Sequence, residues 1–425
     1  MNVGNELYDL IERLFPICRS ITGDGVRQTL SVLSEKISLD VVETPSGTEV
    51  FDWNVPDEWN IRDAYVADSA GHKVIDFARH NLHVLNYSVG VRERMPLSEL
   101  RPHLYTLPDQ PDLIPYRTSY YSRNWGFCLS HREFERMGDG DYDVVIDASL
   151  EPGSLTYGEF VIPGESAEEV LISTHICHPS LANDNLSGIA IATFLARRLA
   201  SKKNHYTYRF VFVPGTIGSL TWLSRNEDTV GRIRYGLVLT GLGDAGKLVF
   251  KQSRHGNTAM DKIAGHVLKN WREPGRVIPW HPYGYDERQY CSPGFDLPVG
   301  RLSRTPHGEF PEYHTSADNL SFVKPAQLED SLYCIEAMLD VVEENVICEN
   351  LSPKGEPRLG KRGLYRSIAG QTERQWNELD LLWVLSGSDG SKSLLDIAEQ
   401  ANRPFAPIAK AAEDLQAAGL LKKNR

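Results

Sequence analysis

The sequence predicts an α/β fold built on a mostly parallel sheet, with a small β-rich insertion near the N-terminus and a helical module at the C-terminus. Three observations support this prediction. Apolar strand patterns alternate with helical patterns from 168 to 346, short alternating runs lie between 41 and 91, and three short helical patterns close the chain. Regular alternation of strand and helix is typical of a parallel sheet with helices on both faces.

Two amphipathic helices open the chain. Apolar residues recur at helical spacing from Leu7 to Phe15, and a second such pattern begins near Val26. From 41 to 91 the short runs are broken by Pro, Gly and Asp, which is typical of strands. We therefore assign 43–116 to an inserted β-rich domain, and 1–42 with 117–350 to the α/β core.

The predicted core alternates strand and helix four times. The strands are EEVLISTHI (168–176), YTYRFVFVPG (206–215), YGLVLTGLGD (235–244) and LPVGRLSR (297–304), and the helices are DNLSGIAIATFLARRLAS (184–201), SLTWLSRN (219–226), HGNTAMDKIAGHVLKNWR (255–272) and PAQLEDSLYCIEAMLDVVEENV (325–346). The continuous apolar strands indicate burial on both faces of the sheet.

A polar stretch rich in Pro, Gly and basic residues at 351–363 predicts a linker. The helical patterns NELDLLWVLSG, SLLDIAEQA and PIAKAAEDLQAAGLL follow it. Their lengths and spacing predict a winged-helix-like module over 364–425. Few residues follow the last helix, so we expect little room for a wing.

Composition excludes several classes of protein. Of 425 residues, 41% are hydrophobic and 24% charged, which excludes a disordered or coiled-coil chain. No run of about 18 apolar residues predicts a membrane span, and the N-terminus lacks a signal-peptide pattern, so we expect a cytoplasmic protein. The six cysteines form no CxxC pair and are expected to be reduced thiols. A net charge of −12 argues against broad nucleic-acid binding.

The segment STHICHPSLANDNLSG (173–188) concentrates candidate ligands where the first core strand ends. His175 and His178 flank a turn, and Asp184 precedes the next helix. Ligands bind at the carboxyl ends of strands in such sheets, so a His and an Asp delivered there suggest half of a zinc site. Each residue alone has a simpler reading, as an exposed histidine or a helix N-cap.

Two later loops carry further candidates. TPHGEFPEYHTSADN (305–319) contains His307 and His314 and follows the fourth core strand, so we expect it at the same sheet edge. GYDERQY (284–290) contains Asp286, Glu287 and Arg288. An Asp-Glu-Arg triplet is often a surface turn, but beside a metal loop it becomes a source of a general base.

These residues carry a resemblance. HICHPSLANDNLSG (175–188) and EYHTSADN (312–319) resemble the metal loops of the zinc aminopeptidase clan. The chain as a whole resembles an aminopeptidase-like family associated with bacterial surface-polysaccharide loci, with an inserted β domain and a C-terminal winged helix. Further matching stretches are RSITGDGVRQTL (19–30), YRTSYYSRNWGFCLSH (116–131), VPGTIGS (213–219), LVLTGLGD (237–244), DERQYCSPGFDLPVG (286–300) and RTPHGEFPEYHTSADN (304–319).

The resemblance implies metal ligands at His175, Asp184 and His314. It also exposes two departures. The two-zinc enzymes of the clan place a Glu-Glu pair after the second strand, where this chain has Pro214-Gly215-Thr216-Ile217. They place an Asp ligand where this chain has Thr240, with Asp244 four residues later. Three remaining ligands suit one open zinc site.

We predict a zinc-dependent hydrolase of the aminopeptidase type, with Glu287 as the base. Glu309, Glu312 and Asp244 are weaker candidates for that role. His178 is expected to orient a ligand, and Tyr313 and Arg288 to stabilise an oxyanion.

The predicted substrate is an amide, either a peptide N-terminus or an aminoacylated sugar, and the resemblance implies a place in polysaccharide biosynthesis. The alternative is a non-catalytic metal-binding or ligand-sensing protein with a winged-helix regulatory module. The third C-terminal helix mixes Lys410 with Glu413 and Asp414, so a protein partner or self-association through that module is favoured over DNA.

Overall fold

The computed structural model describes residues 2–364 and 376–424 and forms two compact units. The first comprises Met1–Gly256 and Ile278–Leu332, and the second Asn257–Val277 and Tyr333–Arg425. The predicted C-terminal module includes 365–375 and 425, which lie outside the described residues. The domain boundaries drawn from the sequence remain a prediction.

The strands are listed here in chain order. They are β1 Asp40–Pro45, β2 Glu49–Val50, β3 Trp53–Asn54, β4 Glu58–Ala67, β5 Lys73–Asp76, β6 Val91–Pro96, β7 Leu104–Tyr105, β8 Phe127–Cys128, β9 Asp141–Glu151, β10 Ser154–Ile162, β11 Glu169–His175, β12 Thr207–Val213, β13 Ile233–Leu239, β14 Val249–Lys251, β15 Arg276–Ile278, β16 Val299–Ser303, β17 Ile347–Asn350, β18 Asp389–Ser393 and β19 Leu421–Asn424.

The helices follow the sequence patterns closely. The α-helices are α1 Val3–Leu14, α2 Asp24–Ser34, α3 Leu97–Leu100, α4 His131–Arg136, α5 Gly188–Ala200, α6 Ile217–Arg225, α7 Ala259–Lys269, α8 Glu287–Tyr290, α9 Pro325–Glu344, α10 Glu378–Gly387, α11 Leu394–Ala401 and α12 Phe405–Ala417. Short 3₁₀ turns lie at Asn81–His83, Arg101–His103, Val230–Arg232 and Leu359–Arg362, and a π turn at Ala182–Ser187.

The first unit is built on a large mixed sheet, which confirms the predicted α/β core. Its strand order is β1-β10-β12-β11-β13-β16-β14-β15, and Ile278, the last residue of β15, belongs to this unit. The central pairs β12-β11, β11-β13 and β13-β16 are parallel, whereas β1, β10 and β14 pair antiparallel. Every residue of β11 is buried, as its unbroken apolar run predicts.

A second, antiparallel sheet in the first unit has the order β5-β4-β9-β6. Its apolar residues and those of the large sheet belong to one hydrophobic cluster, which includes Trp59, Val144, Val213 and Trp222. Strand β9 lies beyond 43–116, so the sheet draws on more of the chain than the predicted insertion. The shared core holds the small sheet close to the residues after β12.

In the second unit, α10–α12 accompany a sheet of order β18-β17-β19. The expectation of little wing was wrong, because the central strand β17 comes from before the predicted linker. Its register pairs Ile347 with Ser393 and Cys348 with Lys423. The buried Asp380 holds Arg403 at 2.8 Å, joining α10 to the chain after α11.

Within the described residues, no helix combines the length and apolar character needed to cross a membrane.

Candidate metal and catalytic site

Three potential metal ligands converge at the carboxyl end of β11. His175 is the last residue of that strand, His178 lies in the following turn, and Asp184 lies in the π turn before α5. One ligand atom from each lies within 4.8 Å of the others. His175 and Asp184 are buried, so their alignment is set by the protein rather than by solvent.

His314 completes this cluster from a distant part of the chain. Its Nε2 lies 3.1 Å from Asp184 Oδ2, while His175 Nε2 lies 2.9 Å from Asp184 Oδ1. His178 Nε2 lies 3.9 Å from the same Oδ2. His314 adopts a left-handed φ of 55°, which is unusual for a non-glycine residue and often marks a functional position.

The loop that carries Asp184 is anchored by another buried carboxylate. Asp318 accepts hydrogen bonds from the backbone N–H of Asn183 at 2.6 Å and of Asp184 at 2.9 Å. Burial raises the pKa of Asp318 to about 7, although these N–H donors oppose the rise. Asp318 thus ties the EYHTSADN loop to the metal loop, as the shared sheet edge led us to expect.

The charges of the cluster suit metal binding. Burial alone would raise the pKa of Asp184, but His178, His175 and His314 together hold it well below its usual range. Burial lowers the pKa of His178 well below its usual value, which favours the neutral ring that a metal requires. A carboxylate among neutral imidazoles is a common donor set for zinc.

Tyrosine rings surround the histidines. Tyr285 stacks on His175 at 5.2 Å between ring centroids, and Tyr313 stacks on His314 at 3.9 Å. Tyr116 lies 5.0 Å from both His178 and His314. These ring contacts limit the movement of the imidazoles.

A cavity of about 140 Å³ opens beside the cluster. Its lining residues are His175, His178, Gly215, Thr216, Tyr283, Gly284, Tyr285, Asp286, His307 and Tyr313. One small cavity is therefore lined by two histidines of the cluster, by a carboxylate and by the two tyrosines that stack on the imidazoles.

Asp286 is the carboxylate in this cavity. It is buried, and its Oδ1 accepts a hydrogen bond from Ser219 Oγ at 2.9 Å. Its Oδ2 has no hydrogen-bond partner among the described residues. Burial raises the pKa of Asp286 to about 6, although His175 and Ser219 lower it.

Gly215 leaves room for this carboxylate. A Cβ at Gly215 would lie 3.2 Å from His175 Cβ and 3.3 Å from Asp286 Oδ2. A longer side chain at 215 would therefore meet Asp286. The resemblance to the clan placed two glutamates after the second core strand, where this chain has none. The space beside Gly215 is filled instead by Asp286, which comes from another loop.

The neighbouring Glu287 has different surroundings. Its Oε1 accepts a hydrogen bond from Lys251 Nζ at 2.9 Å and lies 3.8 Å from Arg301 Nη1. Its Oε2 accepts from the backbone N–H of Tyr285 at 3.0 Å. Glu287 is fully buried in this ion pair and is not among the residues lining the cavity.

A family model described as "Domain of unknown function (DUF4910)" matches residues 8–345, and a winged helix-turn-helix model matches 346–423. The chain belongs to the DUF4910 family. A Clostridium acetobutylicum protein named "Putative polysaccharide biosynthesis protein with aminopeptidase-like domain" is 52% identical over 419 residues, covering 99% of this chain and 96% of that protein.

Solved structures confirm the predicted fold. A "putative peptidase" from Clostridium acetobutylicum superposes with a TM-score of 0.95 at 50% identity, covering 99% of this chain and 96% of the other. A zinc aminopeptidase from Bacillus subtilis gives 0.57 at 12% identity, covering 80% and 95%. An aminopeptidase from Aneurinibacillus sp. strain AM-1 gives 0.52 at 13%, covering 80% and 93%. This DUF4910 member thus has an aminopeptidase-like core followed by a winged helix.

Of the remaining predicted site residues of this DUF4910 member, Tyr313 lines the cavity, whereas Asp244, Arg288, Glu309 and Glu312 do not. Asp244 is saturated, accepting from Thr305 Oγ1 at 2.6 Å, Gly246 N at 2.7 Å and Asn183 Nδ2 at 3.0 Å. Glu309 is exposed and Glu312 half-buried, and neither lines the cavity.

Sequence reasoning grouped Asp286 with Glu287 and Arg288 but chose Glu287 as the base, and it did not single out Tyr285 or Tyr116. Asp286 and Glu287 are adjacent, and the sequence contains no signal that distinguishes them. Only the position of Lys251, 36 residues earlier, shows which carboxylate is neutralised. Tyr116 lies in 116–131, one of the stretches that resemble the family, but its contacts with His178 and His314 depend on tertiary packing.

Proposed function

We propose that the chain is a zinc-dependent amide hydrolase of the aminopeptidase type with Asp286, not Glu287, as its general base. One observation carries the proposal. Asp286, whose Oδ2 has no hydrogen-bond partner among the described residues, lines the same small cavity as His175 and His178. A nucleophile-activating base beside a metal is the arrangement that metal-assisted hydrolysis requires.

The donor set fits one zinc ion. His175, Asp184 and His314 are the proposed ligands, and the position of His178 within 4.8 Å of two of them supports it as a further ligand. The buried carboxylate and the imidazole rings match zinc's preference for nitrogen and oxygen donors. When bound, zinc would polarise a carbonyl and acidify water.

Asp286 would move the protons. Its Oδ2 accepts a proton from the water that attacks the carbonyl carbon, and Ser219 keeps the carboxylate aimed into the cavity. The same oxygen then returns the proton to the departing amine, so the products are a carboxylic acid and an amine. A pKa raised by burial to about 6 suits a group that takes and returns a proton near neutral pH.

Tyr313 is the proposed oxyanion donor. It lines the cavity, and burial raises the pKa of its hydroxyl, so the O–H stays protonated and can donate a hydrogen bond. Its stacking on His314 limits ring movement. The proposed substrate is a peptide N-terminus or an aminoacylated sugar, and the name of the Clostridium relative supports a place in polysaccharide biosynthesis. A cytoplasmic location is part of the proposal.

The test combines metal content with turnover in the purified full chain. We expect about one zinc per chain and chelator-sensitive hydrolysis of some members of a panel of aminoacyl amides and aminoacylated amino sugars. Asp286→Asn should keep its zinc but lose turnover by about 10²- to 10⁴-fold. Glu309→Gln, which alters an exposed carboxylate outside the cavity, serves as the matched control.

Equal turnover by Asp286→Asn and the parent would remove Asp286 from the chemistry. Loss of zinc in Asp286→Asn would instead make it a ligand.

The winged helix-turn-helix match favours a second candidate, a metal-binding sensor with a regulatory module. In that case the same purified protein would hold zinc and show no chelator-sensitive turnover on the panel. Lys410 on α12 lies 2.9 Å from Glu413 and 3.5 Å from Asp414, which weakens a phosphate-binding role for that helix. A gel shift at two salt concentrations tests DNA binding, and a protein or self-association partner remains our proposal for the module.

A further inference from the structure

An exposed aromatic surface lies in the first unit, and we call Phe51, Trp53 and Tyr121 the aromatic platform. Their exposed fractions are 48%, 48% and 49%. The rings of Trp53 and Tyr121 are 5.3 Å apart between centroids, and Phe51 packs edge-on against Phe295 at 5.6 Å. Clustered exposed aromatic rings are costly in water and often mark a binding surface.

The backbone of the platform is strained. Phe51 has a φ of 54° and Tyr121 a φ of 61°, both in the left-handed region that bulky side chains rarely adopt. Phe51 follows β2 and Trp53 begins β3, so a tight hairpin displays these two rings. The turn and the ring contacts hold these side chains at the surface, where about half of each ring remains available to a ligand.

The platform adjoins the cavity that Asp286 lines, because two residues are shared by the walls of neighbouring cavities. Trp53 and Tyr121 line a second cavity of about 170 Å³, whose wall also includes Gly215 and Thr216. The same Gly215 and Thr216 line the cavity that holds Asp286 and His175. A ligand resting on the platform would therefore extend past Gly215 toward the proposed base.

We propose that the platform binds a sugar ring whose amide-linked substituent reaches Asp286. A pyranose has a face of C–H groups that packs on an aromatic plane, and hydroxyl groups that remain in water. Half-exposed rings match such a ligand because they cover one side of it only. The proposal rests on the proposed function for the amide chemistry and selects the aminoacylated sugar from its two substrate classes.

An apolar amino-acid side chain fits the platform less well. Such a side chain gains most from a pocket that encloses it, since its binding free energy grows with the apolar area removed from water. About half of the surface of Trp53 and of Tyr121 is exposed to solvent, and a side chain lying on them would still have one side exposed to water.

The experiment measures binding and hydrolysis separately. Binding of methyl glycosides of N-acetylated amino sugars to the zinc-loaded full chain is followed by saturation-transfer NMR and calorimetry. Hydrolysis compares glycine in amide linkage to glucosamine with glycine in amide linkage to cyclohexylamine, a ring of similar size without hydroxyls.

We expect at least one glycoside to bind, and Trp53→Ala and Tyr121→Ala to weaken it about tenfold each, the loss expected for one aromatic stacking contact. Trp53→Phe should restore most of the binding, because it keeps an aromatic plane in the hairpin. Val41→Ala, at an equally exposed apolar position on β1, should change nothing.

Three results would overturn the sugar subsite: no glycoside binds, Trp53→Ala binds as the parent does, or the cyclohexyl amide is processed as efficiently as the sugar amide. Failure of the proposed function has a different signature. In that case glycosides bind in a Trp53-dependent manner, while no amide is hydrolysed by the zinc-loaded chain.

Discussion

Two buried carboxylates one residue apart, Asp286 and Glu287, have opposite environments. Glu287 faces Lys251 and lies near Arg301, so its charge is neutralised inside the protein. Asp286 lines the cavity, with one hydroxyl donor on Oδ1 and no hydrogen-bond partner for Oδ2 among the described residues. The difference teaches that burial alone does not distinguish a carboxylate held in an ion pair from one that lacks a counter-charge. The partners of each oxygen make the distinction.

The ion pair between Lys251 and Glu287 explains why residue 284 is a glycine, and it contributes to the wall of the cavity. A Cβ at Gly284 would lie 2.1 Å from Glu287 Oε1 and 2.8 Å from Lys251 Nζ, so only glycine fits beside the pair. Arg301 Nη1 lies 3.4 Å from His307 Nδ1, and His307 lines the cavity. Lys251, Glu287 and Arg301 thus support the cavity wall from behind.

The largest expected effect comes from breaking the ion pair. Glu287→Gln leaves Lys251 buried without its counter-charge, so we expect a loss of about 3–5 kcal/mol in the free energy of unfolding. Denaturant unfolding followed by fluorescence measures it. Asp147→Asn, which breaks the exposed pair with Arg62, should cost at most about 1 kcal/mol.

Adding Lys251→Met to Glu287→Gln removes both charges and should recover part of that stability. If Glu287→Gln is as stable as the parent but has lost turnover, Glu287 rather than Asp286 is the general base.

A smaller effect is expected from the metal cluster. His178→Ala removes a donor near Asp184 Oδ2, and we expect zinc affinity to fall about 10- to 100-fold. Competition with a chromogenic chelator measures the affinity, and the exposed His72 provides a His→Ala control. Unchanged zinc affinity would show that His178 neither binds nor orients the metal.

The smallest effect should follow from loosening Asp286. Ser219→Ala removes the hydroxyl that donates to Asp286 Oδ1, and we expect turnover to fall about fivefold, in line with about 1 kcal/mol for one hydrogen bond. Ser224→Ala on the same helix removes a hydroxyl that donates to Thr221 O at 2.9 Å, away from Asp286, and should leave turnover unchanged. Equal losses in the two variants would assign the effect to helix α6 rather than to Asp286.

Much of the fold was predictable because it follows from local patterns. The unbroken apolar run of β11 and the helical spacing of α5 specify a buried strand followed by a buried helix, and both formed as predicted. The spacing of His175 and Asp184 also put them at one strand end. Strand β17 was missed as part of the winged module because a four-residue strand has no periodicity long enough to recognise.

The sequence by itself determined that His175, Asp184 and His314 are candidate ligands, because two of them lie at the end of one strand and all three match a known pattern. Only the tertiary structure showed that Glu287 lies in an ion pair while Asp286 lines the cavity, and only it brought the aromatic platform beside that cavity. The physical reason is that the environment of a carboxylate depends on side chains distant in sequence. Lys251 and Arg301 reach Glu287, and Ser219 reaches Asp286, only when the chain is folded.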